Sequence, residues 1–146
     1  MGLLVDGLWS ETWHDTAKHG GRFVRQDSSF RDWVAADPEA RFPAEPGRYH
    51  LFVAMACPWA HRTLIVRKLK GLQEAIPVHT VEPLMLEHGW VFPDNDLQVP
   101  GGTLCLRYLH QLYTLARPGY TGRVTVPTLW DSKTGTIVNN ESADIM

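Results

Sequence analysis

Cys57 is the residue of this sequence whose surroundings best fit a chemical role. It is followed by Pro58, and a stretch with helical spacing continues from there to Gly71. Proline suits the first turn of a helix, so Cys57 is expected at a helix N-terminus. Unpaired N–H groups and the positive end of the helix dipole favour an anion there, and a cysteine thiolate is a nucleophile toward sulfur or carbon. His61, one turn further on, would add positive charge.

Less reactive interpretations of Cys57 remain open at this point. A cysteine in such a position is more often a buried, inert side chain. Cys57 and His61 also lie four residues apart and could share one helix face as metal ligands, but the sequence offers no second pair at suitable spacing, so no metal is expected. The other cysteine is Cys105, and whether the two pair is not deducible from sequence.

The elements that would position Cys57 form a β-α-β unit. Residues 49–54 are an apolar run rich in aromatic and β-branched side chains, which predicts a buried strand. Residues 76–81 predict a second strand after the helix, and a unit of this length predicts a right-handed crossover. Arg62 and the other basic residues of the helix are expected to form a solvated face. The apolar positions at helical spacing are Leu64, Ile65, Leu69 and Leu72.

The rest of the chain predicts a long connection followed by a hairpin. Residues 82–123 contain several glycines and prolines, and one stretch of helical spacing predicts a short helix before Pro118. Residues 125–131 and 136–139 predict the two strands of a β-hairpin.

The two ends of the chain predict less regular structure. Asn140 or Ser142 is expected to cap a helix that has barely begun, so we expect the chain to be a fragment. Residues 1–48 predict an extended arm packed over a domain of residues 49–146, with a short helical turn possible only within 29–36. The expected anchors of the arm are Phe23, Val24, Phe30 and Trp33.

Composition limits the class of protein. The 146 residues are 44% hydrophobic with a net charge of −2, which suits one buried core and argues against nucleic acid as a partner. The sequence has no charged-then-apolar leader and no long apolar span, so we expect no membrane and a reducing, cytoplasmic compartment. The chain has six tryptophans; some could line a site, but packing is the better expectation for any single one.

Four blocks carry a resemblance to a known family. They are CPWAHR at 57–62 with its continuation TLIVRKLKGL, GWVF at 89–92, YTGRVTVPTLWD at 120–131 and TIVNNES at 136–142. In this order they resemble the N-terminal part of the glutathionyl-hydroquinone reductases, the Xi class of glutathione transferases. The resemblance spans about residues 47–146. It implies an α/β, thioredoxin-like fold, truncated before the all-helical C-terminal domain of that family, which supplies much of the quinone site and the dimer contacts.

The resemblance implies glutathione-dependent reduction of S-glutathionyl-hydroquinones. Cys57 would attack the sulfur of the substrate, release the hydroquinone and form a Cys57–glutathione mixed disulfide, which a second glutathione resolves to glutathione disulfide. Glutathione is then a co-substrate, and the whole protein is expected to be a homodimer. Ala60 in place of a second cysteine also allows a glutaredoxin-like thiol transferase or a dehydroascorbate reductase. A truncated glutathione-binding domain without activity is the remaining alternative.

The resemblance also implies which residues contact glutathione. Val126 would pair its backbone with the tripeptide as an added strand, before a cis Pro127. Glu141 and Ser142 match the pair that holds the γ-glutamyl end: N–H groups at the helix start would meet its carboxylate, and the Glu141 side chain would meet its ammonium group.

Two further positions match family residues that line the tripeptide. Arg123 would pair with a carboxylate, and Trp90 would form an aromatic wall. Taken singly, each matched residue is more often structural, as a strand edge, a helix cap or a surface charge; their joint occurrence favours a site. Cys105 lies in the GGTLCLRYLHQLY segment, which departs from the family pattern.

Overall fold

The computed structural model describes residues 2–11, 20 and 27–146. Its strands are β1 (Leu3–Val5), β2 (Leu8–Ser10), β3 (Tyr49–Ala54), β4 (Val78–Val81), β5 (Leu97–Gln98), β6 (Cys105–Leu106), β7 (Gly122–Arg123), β8 (Thr128–Asp131) and β9 (Thr136–Asn139). Its helices are α1 (Pro58–Leu69), α2 (Leu109–Ala116) and α3 (Ser142–Ile145), and a 3-10 turn spans Pro93–Asn95.

A four-stranded mixed sheet forms the centre of the molecule, in the order β4-β3-β8-β9. Strands β3 and β4 are parallel, and β8 pairs antiparallel with both β3 and β9. The parallel pair confirms the β-α-β unit, and the β8–β9 pair confirms the hairpin. A β-α-β unit followed by an antiparallel hairpin and a helix is the thioredoxin-like order expected from the sequence.

The two faces of the sheet pack against different elements. Leu51 and Leu129 are direct partners in the β3–β8 register and line a small cavity with residues of α1 and α3. Phe52 packs on the other face, edge-on to Phe92 of the connection. Side chains alternate between faces along a strand, so neighbouring residues of β3 contribute to two apolar layers.

Helix α1 begins at Pro58 as predicted and is followed by Gly71 at φ +68°, a left-handed conformation that glycine adopts without steric cost. The prediction of its apolar face is wrong in part. Ile65 is 47% exposed and Leu69 is 79% exposed, whereas Ala60 and Thr63 are the buried positions. The part of the chain that the structure describes leaves that side of α1 open to solvent.

The N-terminal residues are more ordered than an extended arm. Strands β1 and β2 form an antiparallel hairpin, and β1 pairs on its other edge with β7. Residues 30–32 run along the edge of β9, where Arg31 bridges Asn139. Residues 29–36 contain no helix, so the helical turn that the sequence allowed there does not form. Phe30 is buried, as predicted for an anchor, but Trp33 is 64% exposed. Phe23 and Val24 lie outside the described residues.

The connection between β4 and β8 contains the predicted helix as α2. Leu109, Leu112 and Tyr113 are its buried residues, which confirms the helical spacing of that segment. The strand predicted from Thr125 begins only at Thr128, because Val126 and Pro127 form a loop before it. No helix in the described part of the chain is long and apolar enough to cross a membrane.

Candidate active site

Cys57 is the N-cap residue of α1, at the position that the sequence predicts. Its backbone is extended, with φ −94° and ψ 115°, and Pro58 occupies the first turn. The Cys57 N–H donates to the carbonyl of Ala54 at 3.0 Å, which ties the helix start to the end of β3. The side chain is half-buried and unpaired with Cys105, which is also free. A half-buried thiol at the start of a twelve-residue helix combines access with the positive end of the helix dipole.

The loop before β8 brings Val126 to the thiol. The Val126–Pro127 peptide is cis, as predicted, and the Cys57 Sγ donates to the Val126 carbonyl at 3.6 Å. Tyr113 supports this loop from beneath: its hydroxyl lies 2.9 Å from both the Thr125 carbonyl and the Thr128 hydroxyl. The loop is therefore fixed by buried polar contacts to α2.

A cavity of about 340 Å³ opens where the start of α1, the loop before β8 and the start of α3 meet. It brings together six residues that the sequence singled out: Cys57, Trp90, Arg123, Val126, Pro127 and Ser142. Pro58, His61 and Glu141 do not line it. Pro58 and Glu141 are chain neighbours of residues that do, and His61 lies one helical turn after Cys57, where its N–H donates to the Cys57 carbonyl at 3.0 Å. Pro58 and His61 are exposed, and Glu141 is half-buried.

Glu141 lies beside the cavity and caps α3, which corrects the expectation that Asn140 or Ser142 does so. Its carboxylate accepts from the Ala143 N–H at 3.4 Å and from the Ser28 hydroxyl at 3.0 Å. Asn140 is instead buried, where its amide accepts from the Phe30 N–H and donates to the Tyr113 hydroxyl. Asn140 is therefore not available as the cap, and Ser142 is already the first residue of the helix, so Glu141 takes the N-cap position.

Arg62 contacts two cavity-lining residues, Ser142 and Trp59, and the sequence interpretation did not single it out as a site residue. It is half-buried, and its Nε and Nη2 atoms donate to the Ser142 hydroxyl at 3.1 and 2.6 Å. Its guanidinium also lies 5.0 Å from the ring centre of Trp59, which lines the cavity. The signal was available, because Arg62 closes the CPWAHR block, but basic residues along a helix usually indicate only a solvated face.

Polar and aromatic groups around the cavity provide distinct kinds of contact. Arg62 and Arg123 place two cations near Ser142 and the loop before β8, and Glu141 places an anion beside Ser142. The indole Nε1 of Trp90 is buried and has no hydrogen-bond acceptor among the described residues. Within that same set of residues, no cluster of three or more His, Cys, Asp or Glu could hold a metal ion.

Comparisons with known proteins identify the family of this chain. The family model described as "Glutathione S-transferase, N-terminal domain" matches residues 56–146. Glutathionyl-hydroquinone reductase YqjG of Escherichia coli (strain K12) is 55% identical over 153 residues, covering 100% of this chain and 47% of that protein. Glutathionyl-hydroquinone reductase PcpF of Sphingobium chlorophenolicum is 52% identical over 146 residues, covering 100% of this chain and 45% of that protein.

A solved structure shares the arrangement. The glutathione-bound structure of YqjG, a glutathione transferase homolog from Escherichia coli K-12, has a TM-score of 0.74 and 48% sequence identity, covering 97% of this chain and 43% of that one. The chain thus spans about half the length of the curated relatives it matches.

Proposed function

This chain belongs to the family of glutathione S-transferase N-terminal domains, and from this premise we propose that it is the glutathione-binding part of a reductase of S-glutathionyl-hydroquinones. The observation that carries the proposal is the cavity in which the Cys57 thiol, at the start of α1, contacts the backbone of Val126. Two similar proteins bear the name glutathionyl-hydroquinone reductase. Under this proposal, the cavity holds both a nucleophile, Cys57, and a backbone edge at Val126 that can pair with a peptide.

The charges around the cavity suit the γ-glutamyl end of glutathione, which carries a carboxylate and an ammonium group. Ser142 can donate its hydroxyl to the carboxylate, and Arg62 behind it supplies the positive charge. Glu141, whose carboxylate lies beside the Ser142 hydroxyl, can accept from the ammonium group.

The cysteinyl and glycyl parts of glutathione have matching groups on the other side of the cavity. The backbone of Val126 can pair with the tripeptide in the manner of an added strand. Arg123 can pair with the glycine carboxylate. A carbonyl or carboxylate reaching the Trp90 Nε1 would satisfy a buried donor whose lack of a partner costs about 1–3 kcal/mol.

The proposed reaction has two steps, and in each a thiolate attacks a sulfur atom. The Cys57 thiolate attacks the sulfur of the glutathionyl-hydroquinone, a Cys57–glutathione S–S bond forms, and the aryl C–S bond breaks. The aryl carbon takes a proton and leaves as the hydroquinone. A second glutathione, as its thiolate, then attacks the mixed disulfide, regenerates the Cys57 thiolate and leaves as glutathione disulfide. Overall, one free glutathione thiol and the thioether sulfur of the substrate are oxidised to the disulfide, and the aryl carbon is reduced.

Intact-mass analysis with peptide mapping tests this proposal directly. The chain is incubated with glutathionyl-menadiol, and then with or without free glutathione. We expect one glutathione adduct on Cys57 that free glutathione removes. A folded chain that forms no adduct with glutathionyl-menadiol, and does not bind glutathione, would overturn the proposal.

A small mixed disulfide serves as the comparison substrate. If Cys57 takes glutathione from a small glutathionylated thiol but not from glutathionyl-menadiol, the glutaredoxin-like alternative replaces the reductase. The position three residues after Cys57, where a second cysteine would lie, is the fully buried Ala60. Either reaction would therefore use a single cysteine on this helix. A homodimeric whole protein and a reducing cytoplasmic location are further parts of the proposal, tested by sedimentation and by imaging of a tagged protein.

A further inference from the structure

The N-terminal hairpin contacts the strand that carries Arg123. Leu3 is the register partner of Arg123, and Leu4 that of Gly122, so β1 holds this short strand in place. The hairpin turn is tied to the same segment, because the Gly7 N–H donates to the Tyr120 carbonyl at 3.0 Å. One side of the cavity therefore depends on residues near the beginning of the chain, outside the range matched by the family model.

Trp9, on β2 of this hairpin, packs against the turn that precedes the cavity residue Trp90. Its Nε1 donates to the Glu87 carbonyl at 2.9 Å. Its ring lies so close to Gly89 that a Cβ on that glycine would be 2.7 Å from the Cη2 atom. The ring also stacks on His110 of α2, with centroids 4.7 Å apart and planes 17° from parallel. Trp9 is thus wedged between the turn of residues 86–89 and α2.

Trp90 follows this turn directly and lines the cavity. The Gly89 N–H closes the turn on the Leu86 carbonyl at 3.0 Å, and the Trp90 carbonyl accepts from the Leu109 N–H at 2.9 Å. Gly89 is buried at φ +74°, a backbone conformation that side-chain-bearing residues rarely adopt. The direction of the Trp90 side chain therefore depends on a turn that Trp9 contacts through both its ring and its indole N–H.

We propose that Trp9 is a positioning residue of the glutathione site: it fixes the turn of residues 86–89 and so holds Trp90 in the cavity wall. This inference rests on the proposed function. Trp9 does not line the cavity, so it acts through Trp90 and not on the ligand. Cys57 is held independently, by Ala54 and Val126, so its intrinsic reactivity does not depend on Trp9.

The test compares Trp9→Ala with Trp33→Ala, both in a Cys105→Ser background so that only one thiol reacts. Trp33 is the matched control, because it is a tryptophan that is 64% exposed and does not line the cavity. Glutathione affinity is measured by calorimetry, Cys57 reactivity by its alkylation rate with iodoacetamide in the absence of glutathione, and folding by circular dichroism. We expect Trp9→Ala to raise the Kd for glutathione about tenfold, since a displaced binding group commonly costs that much or more. We expect its alkylation rate, and both properties of Trp33→Ala, to match the parent.

A second variant decides the matter if Trp9→Ala does not fold. Trp9→Phe keeps a ring against Gly89 and His110 but cannot donate to the Glu87 carbonyl, and the loss of one hydrogen bond predicts a Kd raised about threefold. Parent-like affinity in Trp9→Phe and in any folded Trp9→Ala would overturn the inference. Changes in affinity, alkylation rate and melting together would also overturn it, as they indicate a general packing role. If the parent chain itself does not bind glutathione, the proposed function fails, and this inference falls with it.

Discussion

The sulfur of Cys57 donates a hydrogen bond to the backbone carbonyl of Val126 across 3.6 Å, linking the start of α1 to the loop before β8. A thiolate cannot donate, so ionisation of Cys57 frees that carbonyl for another donor. The backbone N–H of an extended peptide is such a donor. Under the proposed function, activation of the nucleophile and binding of a peptide edge would therefore be coupled through one oxygen atom.

The first prediction concerns this nucleophile. Cys57→Ser keeps a hydroxyl that can reach Val126, but a serine hydroxyl ionises far less readily than a thiol. We expect turnover of glutathionyl-menadiol to fall roughly 10³-fold or more, as is usual when a nucleophile is removed. The measurement is hydroquinone release followed by chromatography, together with loss of the glutathione adduct in the intact mass.

Cys105→Ser is the control for that substitution. Cys105 is exposed, and a hydrogen bond with Asp96 raises the pKa of its thiol, which disfavours the thiolate. We expect the Cys105→Ser chain to react as the parent does. An adduct that persists in Cys57→Ser and disappears in Cys105→Ser would show that Cys105, and not Cys57, is the reactive thiol.

The sequence predicted the position of Cys57 because local rules determine it, whereas the place of Val126 was expected only from the family resemblance. A proline at the first helical turn places Cys57 at the N-cap, and the β-α-β pattern places α1 beside the sheet. The contacts of Arg62 with Ser142 and of Trp9 with Gly89 were not predictable in this way. They join residues 80 positions apart in both cases, and no local period or cap records such a pairing.

The apolar face of α1 shows a second limit of prediction from the sequence: a local pattern was present, but it did not determine burial. Ile65 and Leu69 fit a helical stripe, which usually indicates a buried face, but both are exposed in the described structure. Periodicity identified the helix correctly. It could not determine which side of the helix meets the sheet, because Ala60 and Thr63, the residues that do so, are small or polar.

The second prediction concerns the cation behind Ser142. Arg62→Gln removes the charge and the two hydrogen bonds that Nε and Nη2 donate to the Ser142 hydroxyl, so a carboxylate bound at Ser142 would lose the positive charge behind it. We expect the Kd for glutathione to rise about tenfold, in line with loss of a charge-assisted hydrogen bond. Calorimetry at low and high salt measures the change, which should shrink as salt screens the charge.

Lys68→Gln is the matched control for Arg62→Gln. Lys68 is exposed near the other end of the same helix, so its substitution removes one positive charge without touching the cavity. We expect glutathione affinity close to that of the parent. Equal losses in the two variants would mean that the overall charge of the helix matters and that Arg62 has no specific role.

The third prediction concerns the support of the loop before β8. Tyr113→Phe removes a hydroxyl that contacts Thr125, Thr128 and Asn140, and it leaves these buried polar groups with fewer partners. We expect the free energy of unfolding to fall by about 1–3 kcal/mol. Urea denaturation measures this.

Tyr49→Phe provides the comparison. Among the described residues its hydroxyl makes one bond, to the Pro43 carbonyl at 2.7 Å, so its removal should cost about 1 kcal/mol. A Tyr113→Phe chain no less stable than Tyr49→Phe would contradict the role of Tyr113 as the common support. Glutathione affinity, measured on the same samples, should fall only in Tyr113→Phe. Tyr49 begins β3, and the opposite end of that strand is the one that leads to Cys57.

The fourth prediction concerns the pH dependence of stability and a pair of histidines, one on β3 and one on β4. His50 Nδ1 lies 2.9 Å from His79 Nε2, and His79 also stacks on Phe52. Burial, reinforced by the neighbouring His50, lowers the pKa of His79 to about 4, and burial also lowers the pKa of His50. The folded pKa therefore lies below the value of about 6.5 expected in the unfolded chain.

The sign of the effect follows from that difference. As the pH falls from 6.5 toward 4, the unfolded chain binds protons that the folded chain does not, so the free energy of unfolding decreases. Between pH 7 and pH 5 we expect His79 to account for a loss of about 1–2 kcal/mol, allowing for its partial exposure. Urea denaturation at the two pH values measures the loss. The loss of stability between the two pH values should be smaller in His79→Phe by about the contribution of His79. It should be the same as in the parent in His61→Gln, because His61 is exposed. A loss of the same size in His79→Phe and in the parent would show that the paired histidines do not control acid stability.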